Sequence, residues 1–253
     1  MAAYDRVMVE IEAGVGRVTL NRPEKRNAVD QALCAELLAA LRMVVAADAV
    51  RVVIITGAGP GFCAGADLAV LAQDGGGHAL VAAGKDLALT IRQAPKPMLA
   101  VVNGAAAGGG ANLALACDYR LASDRAAIGQ VFHRLGLGPD WGGSYFLPRL
   151  VGVARALELV WSARMVPAAE ALDLGLFDRV VPHERLAAEA QALAAVWAAQ
   201  PPLAVRRAKE ALYHSEGSTL AAMLDLEMAH QDELFATAEA RQRIGQSLTA
   251  RSR

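Results

Sequence analysis

The chain has 253 residues, enough for one large domain with a sizeable core, and its 55% hydrophobic and 20% charged residues are those of a globular protein rather than a disordered or fibrous one. Its 25 Lys and Arg stand against 26 Asp and Glu, so no global field collects nucleic acid or an anionic membrane, and a charged ligand must be met locally. Three cysteines without a CxxC pair, Cys34, Cys63 and Cys117, argue against a disulfide or zinc framework and fit a reducing, cytoplasmic compartment as small buried side chains.

Met1 to Arg6 carries an acid and no long apolar stretch, so no signal peptide is expected, and no run reaches the ~20 apolar residues of a membrane helix. Val7, Val9 and Ile11 alternate, and Val18 to Leu20 follows a Gly14-Val15-Gly16 turn, which predicts an opening hairpin that ends at Asn21-Arg22-Pro23. Asp30 reads as an N-cap, and Leu33, Leu37, Leu41 and Val45, widened by Leu38 and Val44, form the apolar stripe of an amphipathic helix. Arg51 to Thr56 is apolar and β-branched inside, as a strand covered on both faces would be, and Met98 to Val102 is a second such run. Between them lie a Gly-rich loop, a Gly75-Gly76-Gly77 turn and a helical pattern from about Leu80 to Arg92. Strand, helix, strand is an α/β order.

A short strand is predicted at Tyr119 to Ala122, helices near Gly143 to Leu150, Ala154 to Trp161 and Ala168 to Leu174, and a strand at Arg179 to Val181. From Glu184 the pattern is helical, broken at Pro201-Pro202 and Gly217-Ser218. The expected organisation is a core over residues 1–195 followed by a helical C-terminal region over 196–253.

Two glycine-rich turns follow strands. In Gly57-Ala-Gly-Pro-Gly-Phe-Cys-Ala-Gly-Ala-Asp-Leu68 small residues leave backbone N–H groups uncovered, and a dinucleotide GxGxxG fingerprint fails because Phe62 takes the place of its third glycine. In Asn103-Gly-Ala-Ala-Ala-Gly-Gly-Gly-Ala-Asn112 three glycines precede a helical pattern from Leu113 to Cys117, where first-turn N–H groups and the helix dipole meet anions. Each turn alone is more often a packing device than a site. Two together could supply the convergent donors that one developing negative oxygen needs.

The segment Asn21-Arg-Pro-Glu-Lys-Arg-Asn-Ala28, the loop Phe62-Cys-Ala-Gly-Ala-Asp-Leu68 and the run from Asn103 resemble, in order, the motifs of the crotonase (enoyl-CoA hydratase/isomerase) superfamily over roughly residues 5 to 235. The resemblance implies a spiral of ββα units with a helical C-terminal region and an acyl-CoA thioester substrate. Coenzyme A would arrive as part of that substrate, with no separate cofactor. It implies backbone N–H donation from Ala66 and Gly109 to the thioester oxygen. It further implies substrate contacts from Arg26, Ala28, Ala64, Gly65, Asp67, Leu68 and Gly108, and homotrimers or dimers of trimers. For Lys25 and Arg26 a solvated charged turn is an equal reading. Leu220, Leu224, Met228 and Leu234 offer a face for a partner subunit, or for the chain's own core. The ending Ser247 to Arg253 departs from the family's Lys-Pro-X-Phe close.

Hydratases of the family carry two glutamates that activate water, and here Asn112 and Phe132 stand at those positions, neither able to carry a proton between pH 5 and 8. Asn112 is left to orient substrate or complete a helix turn, and Phe132 to wall the site. Gly136-Leu-Gly-Pro-Asp140-Trp-Gly-Gly143 is similar to a segment of the enoyl-CoA isomerases of bacterial phenylacetate breakdown, whose aspartate moves the proton. By local sequence Pro139-Asp140 followed by two glycines is ordinary β-turn chemistry. The resemblance makes Asp140 the catalytic base. Rival readings are enoyl-CoA hydration, an aspartate nucleophile as in acyl-CoA dehalogenases, and an acyl-CoA- or RNA-binding protein without catalysis. His133 reads as surface or substrate-edge, and no histidine has a partner at metal-ligand spacing, so no metal is expected.

Overall fold

In the computed structural model, which describes residues 4–251, β1 (Val7–Glu12) and β2 (Val15–Leu20) pair antiparallel across Ala13 and Gly14, both at positive φ (48° and 81°). This is the two-residue hairpin turn whose twist suits its strands. The turn therefore lies earlier than Gly14-Val15-Gly16: Val15 pairs with Glu12 and Gly16 with Ile11 inside the ladder. Met1 to Ala3, Ser252 and Arg253, and with them parts of the N- and C-terminal segments read above, lie outside the described residues.

Asp30 caps α1 (Gln31–Ala46) by accepting the Leu33 N–H at 2.8 Å, a bond worth about 1 kcal/mol to a helix. Three strand-strand-helix units follow. The first is β3 (Val52–Gly57) and β4 (Gly61–Cys63) with α2 (Leu68–Leu71) and α3 (Gly76–Gln93). The second is β5 (Met98–Val102), β6 (Ala105–Ala107) and α4 (Gly109–Ala116). The third is β7 (Tyr119–Ser123), β8 (Ala127–Gly129) and, after a 3-10 turn at Val131–Leu135, α5 (Gly143–Val151). Each unit sends its longer strand to a six-stranded sheet of order β1-β2-β3-β5-β7-β10 and its short strand to a four-stranded sheet, β4-β6-β8-β9. This is the expected spiral of ββα units. The chain continues through α6 (Val153–Ser162), β9 (Val166–Pro167), α7 (Ala168–Asp173), β10 (Arg179–Val181) and α8 (Leu186–Ala198). It closes with α9 (Pro202–His214), α10 (Leu220–Phe235) and α11 (Ala238–Arg251).

The second sheet is absent from the sequence reading, which took β4 and β6 for loop. Its strands are two or three residues long, and one of them, Ala105–Ala107, is alanine throughout, so they are too short for alternation or β-propensity to mark them. Helix α3 also begins earlier than Leu80. Gly76 lies inside it because a Cβ there would stand 2.1 Å from the Val70 carbonyl oxygen, so the turn before the helix closes only on glycine.

The continuous apolar runs have two burial partners. Val53, Ile55, Met98 and Ala100 face a core shared with Leu33, Leu37 and Leu41 of α1 and Leu87 and Ile91 of α3. Val52, Ile54, Leu99 and Val101 face a second core built with Leu186, Ala190 and Ala194 of α8. Strands β2, β3, β5, β7 and β10 run parallel. In such a sheet the loops leaving the carboxyl ends are the usual place for a ligand.

The described residues gather into two compact units, 4–94 with Met98–Ala198, and Pro95–Pro97 with 199–251. The second holds α9 to α11, and within it Lys209 Nζ donates to the Lys96 carbonyl at 3.1 Å. Among the described residues no helix is long and apolar enough to cross a membrane, and no cluster of His, Cys, Asp and Glu could hold a metal ion.

Candidate active site

The first wall of the site is held by two side chains of the Asn21 to Ala28 segment. Asn27 is fully buried at φ 56°; its Nδ2 donates to the carbonyls of Ala58, Gly61 and Phe62 at 2.9, 2.9 and 3.2 Å, and its Oδ1 accepts the Arg22 N–H at 2.9 Å. Arg22 in turn donates to the Ala28 carbonyl at 2.7 Å and pairs with Asp67 at 3.2 Å. The two segments are thus joined at both ends. Between those ties Val29 bridges Ala66, with the Val29 N–H on the Gly65 carbonyl (2.8 Å) and the Asp67 N–H on the Val29 carbonyl (2.9 Å). A parallel bridge of this kind uses the residues on either side of Ala66, so the Ala66 N–H stays out of the ladder.

Two glycines bring the second turn against the first. Gly65 sits at φ 86°, and a Cβ on it would stand 2.7 Å from the Ala107 carbonyl oxygen and 3.6 Å from the Gly109 nitrogen. A Cβ on Gly110 would stand 2.3 Å from the Cys63 carbonyl oxygen. Gly109 is the first residue of α4, which starts four residues before the predicted pattern; Gly108 precedes it at φ 55°. An N–H in a helix's first turn has no intrahelical acceptor and carries the positive end of the dipole. Ala66 and Gly109 therefore present two backbone donors from neighbouring loops, the arrangement that steadies an oxyanion by about 3 to 4 kcal/mol per donor in acyl-transfer enzymes.

Both donors line a cavity of about 810 Å³. Its walls are largely apolar: Leu71, Leu80, Val81, Val131, Phe132, Leu135, Leu137 and Trp141 all contribute. The Trp141 indole donates to the Leu80 carbonyl at 3.0 Å and lies against Gly109, where a Cβ would come within 3.4 Å of the ring. Two carboxylates line the cavity, Asp67 and Asp140. Asp67 is committed, with Arg22 on one oxygen and the Ala69 N–H on the other at 3.1 Å. Asp140 Oδ1 is buried without a hydrogen-bond partner, and burial pushes the carboxyl from its ordinary 3.8 up to about 6, offset in part by its own backbone N–H.

The profile of the enoyl-CoA hydratase/isomerase family matches residues 10–250. The chain belongs to that family. It is 37% identical to a 1,2-epoxyphenylacetyl-CoA isomerase of Escherichia coli strain K12, over 97% of this chain and 96% of the relative. It is 40% identical to a probable enoyl-CoA hydratase of Rhodobacter capsulatus, over 96% and 94%. A crystal structure of an enoyl-CoA hydratase from Bacillus anthracis superposes with a TM-score of 0.92 at 36% identity, covering 98% of this chain and 97% of that one.

Against the family's expected contacts, Ala28, Ala64, Gly65, Ala66, Asp67, Leu68, Gly108, Gly109, Phe132 and Asp140 all line the one cavity. Two expected residues stand elsewhere. Arg26 is exposed in a left-handed conformation (φ 50°), and it is its carbonyl that enters the site's frame, accepting the Ala64 N–H at 3.0 Å. Asn112 is fully buried behind the cavity, donating to the Asp140 carbonyl at 2.9 Å and accepting from Gln130 at 2.7 Å. His133 is exposed, its ring nitrogen 2.7 Å from the Val160 carbonyl. Family resemblance assigned no part to His78 and Arg134, which also line the cavity. Asn27 went unsingled because an asparagine in a turn carries no mark of how many carbonyls it will meet.

Proposed function

We propose that this family member is an enoyl-CoA isomerase in which Asp140 carries out a 1,3-proton shift on an acyl-CoA thioester. The observation that carries the reading is the buried, unpartnered Asp140 carboxyl oxygen in the same cavity as the Ala66 and Gly109 donors. The carboxylate takes a proton from C2 or C4 of the acyl chain. The electron pair left behind is delocalised onto the thioester oxygen, where the two N–H groups hold the enolate. The same carboxyl, now protonated, trades that proton with solvent while the enolate is held, delivers a proton at the other end and is restored. One base suffices because proton removal and return balance.

Hydration, the activity named for the Rhodobacter relative, needs a group that activates water and one that delivers its proton. Asn112 is turned away to Gln130 and Asp140, and Phe132 walls the cavity with carbon, so this arrangement supports isomerisation over hydration. The Escherichia coli relative's isomerase name supports the same choice. Coenzyme A enters as part of the substrate and no separate cofactor is required. Exposed Leu220, Leu224 and Met228 support the expected homotrimer or dimer of trimers, and three buried free cysteines support a cytoplasmic setting.

The test is incubation of a 3-enoyl-CoA and a 2-enoyl-CoA in deuterated water with mass spectrometry of the products. Deuterium at C2 and C4 without gain of water is expected, and Asp140→Asn should slow exchange by at least ~10²-fold, the usual contribution of a general base. Net hydration by the parent protein, or undiminished exchange in Asp140→Asn, would sink the reading.

A further inference from the structure

Asn112 lies three residues beyond Gly109 on α4, so one short helix carries both an oxyanion donor and the amide that grips the Asp140 turn. The Asp140 carbonyl accepts Asn112 Nδ2 at 2.9 Å and the Gly143 N–H at 2.8 Å. The amide could face either way, and the Asp140 carbonyl, an acceptor only, settles it: Asn112 Nδ2 faces that oxygen, which leaves Asn112 Oδ1 to accept Gln130 Nε2 at 2.7 Å. Asn112 is wholly buried and Gln130 is 3% exposed, so bulk water does not compete for either bond. The turn closes tightly over this amide. A Cβ on Gly143 would stand 2.5 Å from Asn112 Nδ2, and Trp141 and Gly142 follow Asp140 at φ 46° and 84°, a backbone course that needs anchoring.

The geometry points to Gln130 and Asn112 as a buried amide chain that positions the Asp140 base relative to the oxyanion donor on α4. They are positioning residues: neither lines the cavity, and both act through the backbone of the turn. The inference rests on the reading of Asp140 as the base. It also gives the asparagine at a hydratase glutamate position a task of its own. A glutamate there has no N–H with which to hold the Asp140 carbonyl.

The experiment compares Asn112→Ala, Gln130→Leu and Asp140→Asn in the full-length protein, with a 3-enoyl-CoA in deuterated water as probe. Exchange kcat should fall ~10- to 100-fold in the first two, the effect of a misplaced catalytic group, while KM stays near the parent value. The acid limb of kcat should also move to lower pH by about one unit, because a carboxyl released from its buried pose regains solvent. If both variants keep the parent kcat and limb while Asp140→Asn is inert, the positioning role falls and the base assignment stands. A lowered kcat with an unmoved limb overturns it too, since a loosened core alone would do that. Exchange by Asp140→Asn removes the base reading and the chain's purpose with it. Should Asn112→Ala fail to fold, Gln130→Leu, which leaves Asn112 in place, decides by the same limb.

Discussion

The indole of Trp141 lies flat against the backbone of Gly84: a Cβ on that glycine would stand 1.9 Å from Trp141 Cδ1 and Nε1. Gly84 is in the middle of α3, where alanine ordinarily gains about 0.5 to 1 kcal/mol over glycine. Here the overpacking, typically 1 to 3 kcal/mol, opposes that gain, because a rigid ring held by its bond to the Leu80 carbonyl must move. Gly84→Ala should therefore lower stability in chemical denaturation and push the indole toward Gly109, slowing exchange. A more stable Gly84→Ala protein would show that the ring has room to leave.

Activity should rise with pH along a single limb centred near the Asp140 value of about 6, since the carboxylate form removes the proton. The same shift predicts a stability change of defined sign. The folded-state value lies above the ordinary 3.8, so folding favours the protonated form; that contribution is complete below about pH 4 and is lost as pH rises through about 6. Asp140→Asn should accordingly be more stable than the parent at pH 7.5 by urea denaturation, with the difference shrinking toward pH 4. An equal difference at both values would mean that burial of the charge is not the cause.

Asn27 joins the two cradle segments, and its removal separates backbone from side-chain effects. Asn27→Ala removes a donor from the Ala58, Gly61 and Phe62 carbonyls, of which Gly61 keeps Asn103 Nδ2 at 3.2 Å, and puts an apolar residue at φ 56°, a combined loss of roughly 2 to 5 kcal/mol. Asn27→Gly accepts the left-handed conformation and loses the bonds alone, so its melting temperature should fall between those of parent and Asn27→Ala. In both, acyl-CoA affinity should weaken as Ala28 and the Ala64 to Leu68 loop lose their common anchor. Equal stability of the two variants would contradict the backbone share.

Where a residue's neighbours in sequence are also its neighbours in space, the reading from sequence held. Asp30 as a cap needs only Leu33, three residues on, and the two apolar strands declare by composition that both faces are covered. Ala66, Gly109 and Asp140 were singled out by their motifs, and they share one cavity. The short strands β4, β6, β8 and β9 left no local trace, because pairing over two or three residues depends on the close approach of segments distant in sequence rather than on any preference of their own.

The amino-acid sequence by itself determined the family, the order of the long strands and the helices between them, and the absence of glutamate at Asn112 and Phe132, since each is written in residue type and spacing. Only the tertiary structure decided where Asn112 points, that Asp67 is spent on Arg22, and that Asp140 keeps a buried oxygen without a partner. A buried polar group's behaviour is set by the donors and acceptors that remain after the chain has packed. Those come from segments as far apart as Arg22 and Asp67, or Asn112 and Asp140, which no local window contains.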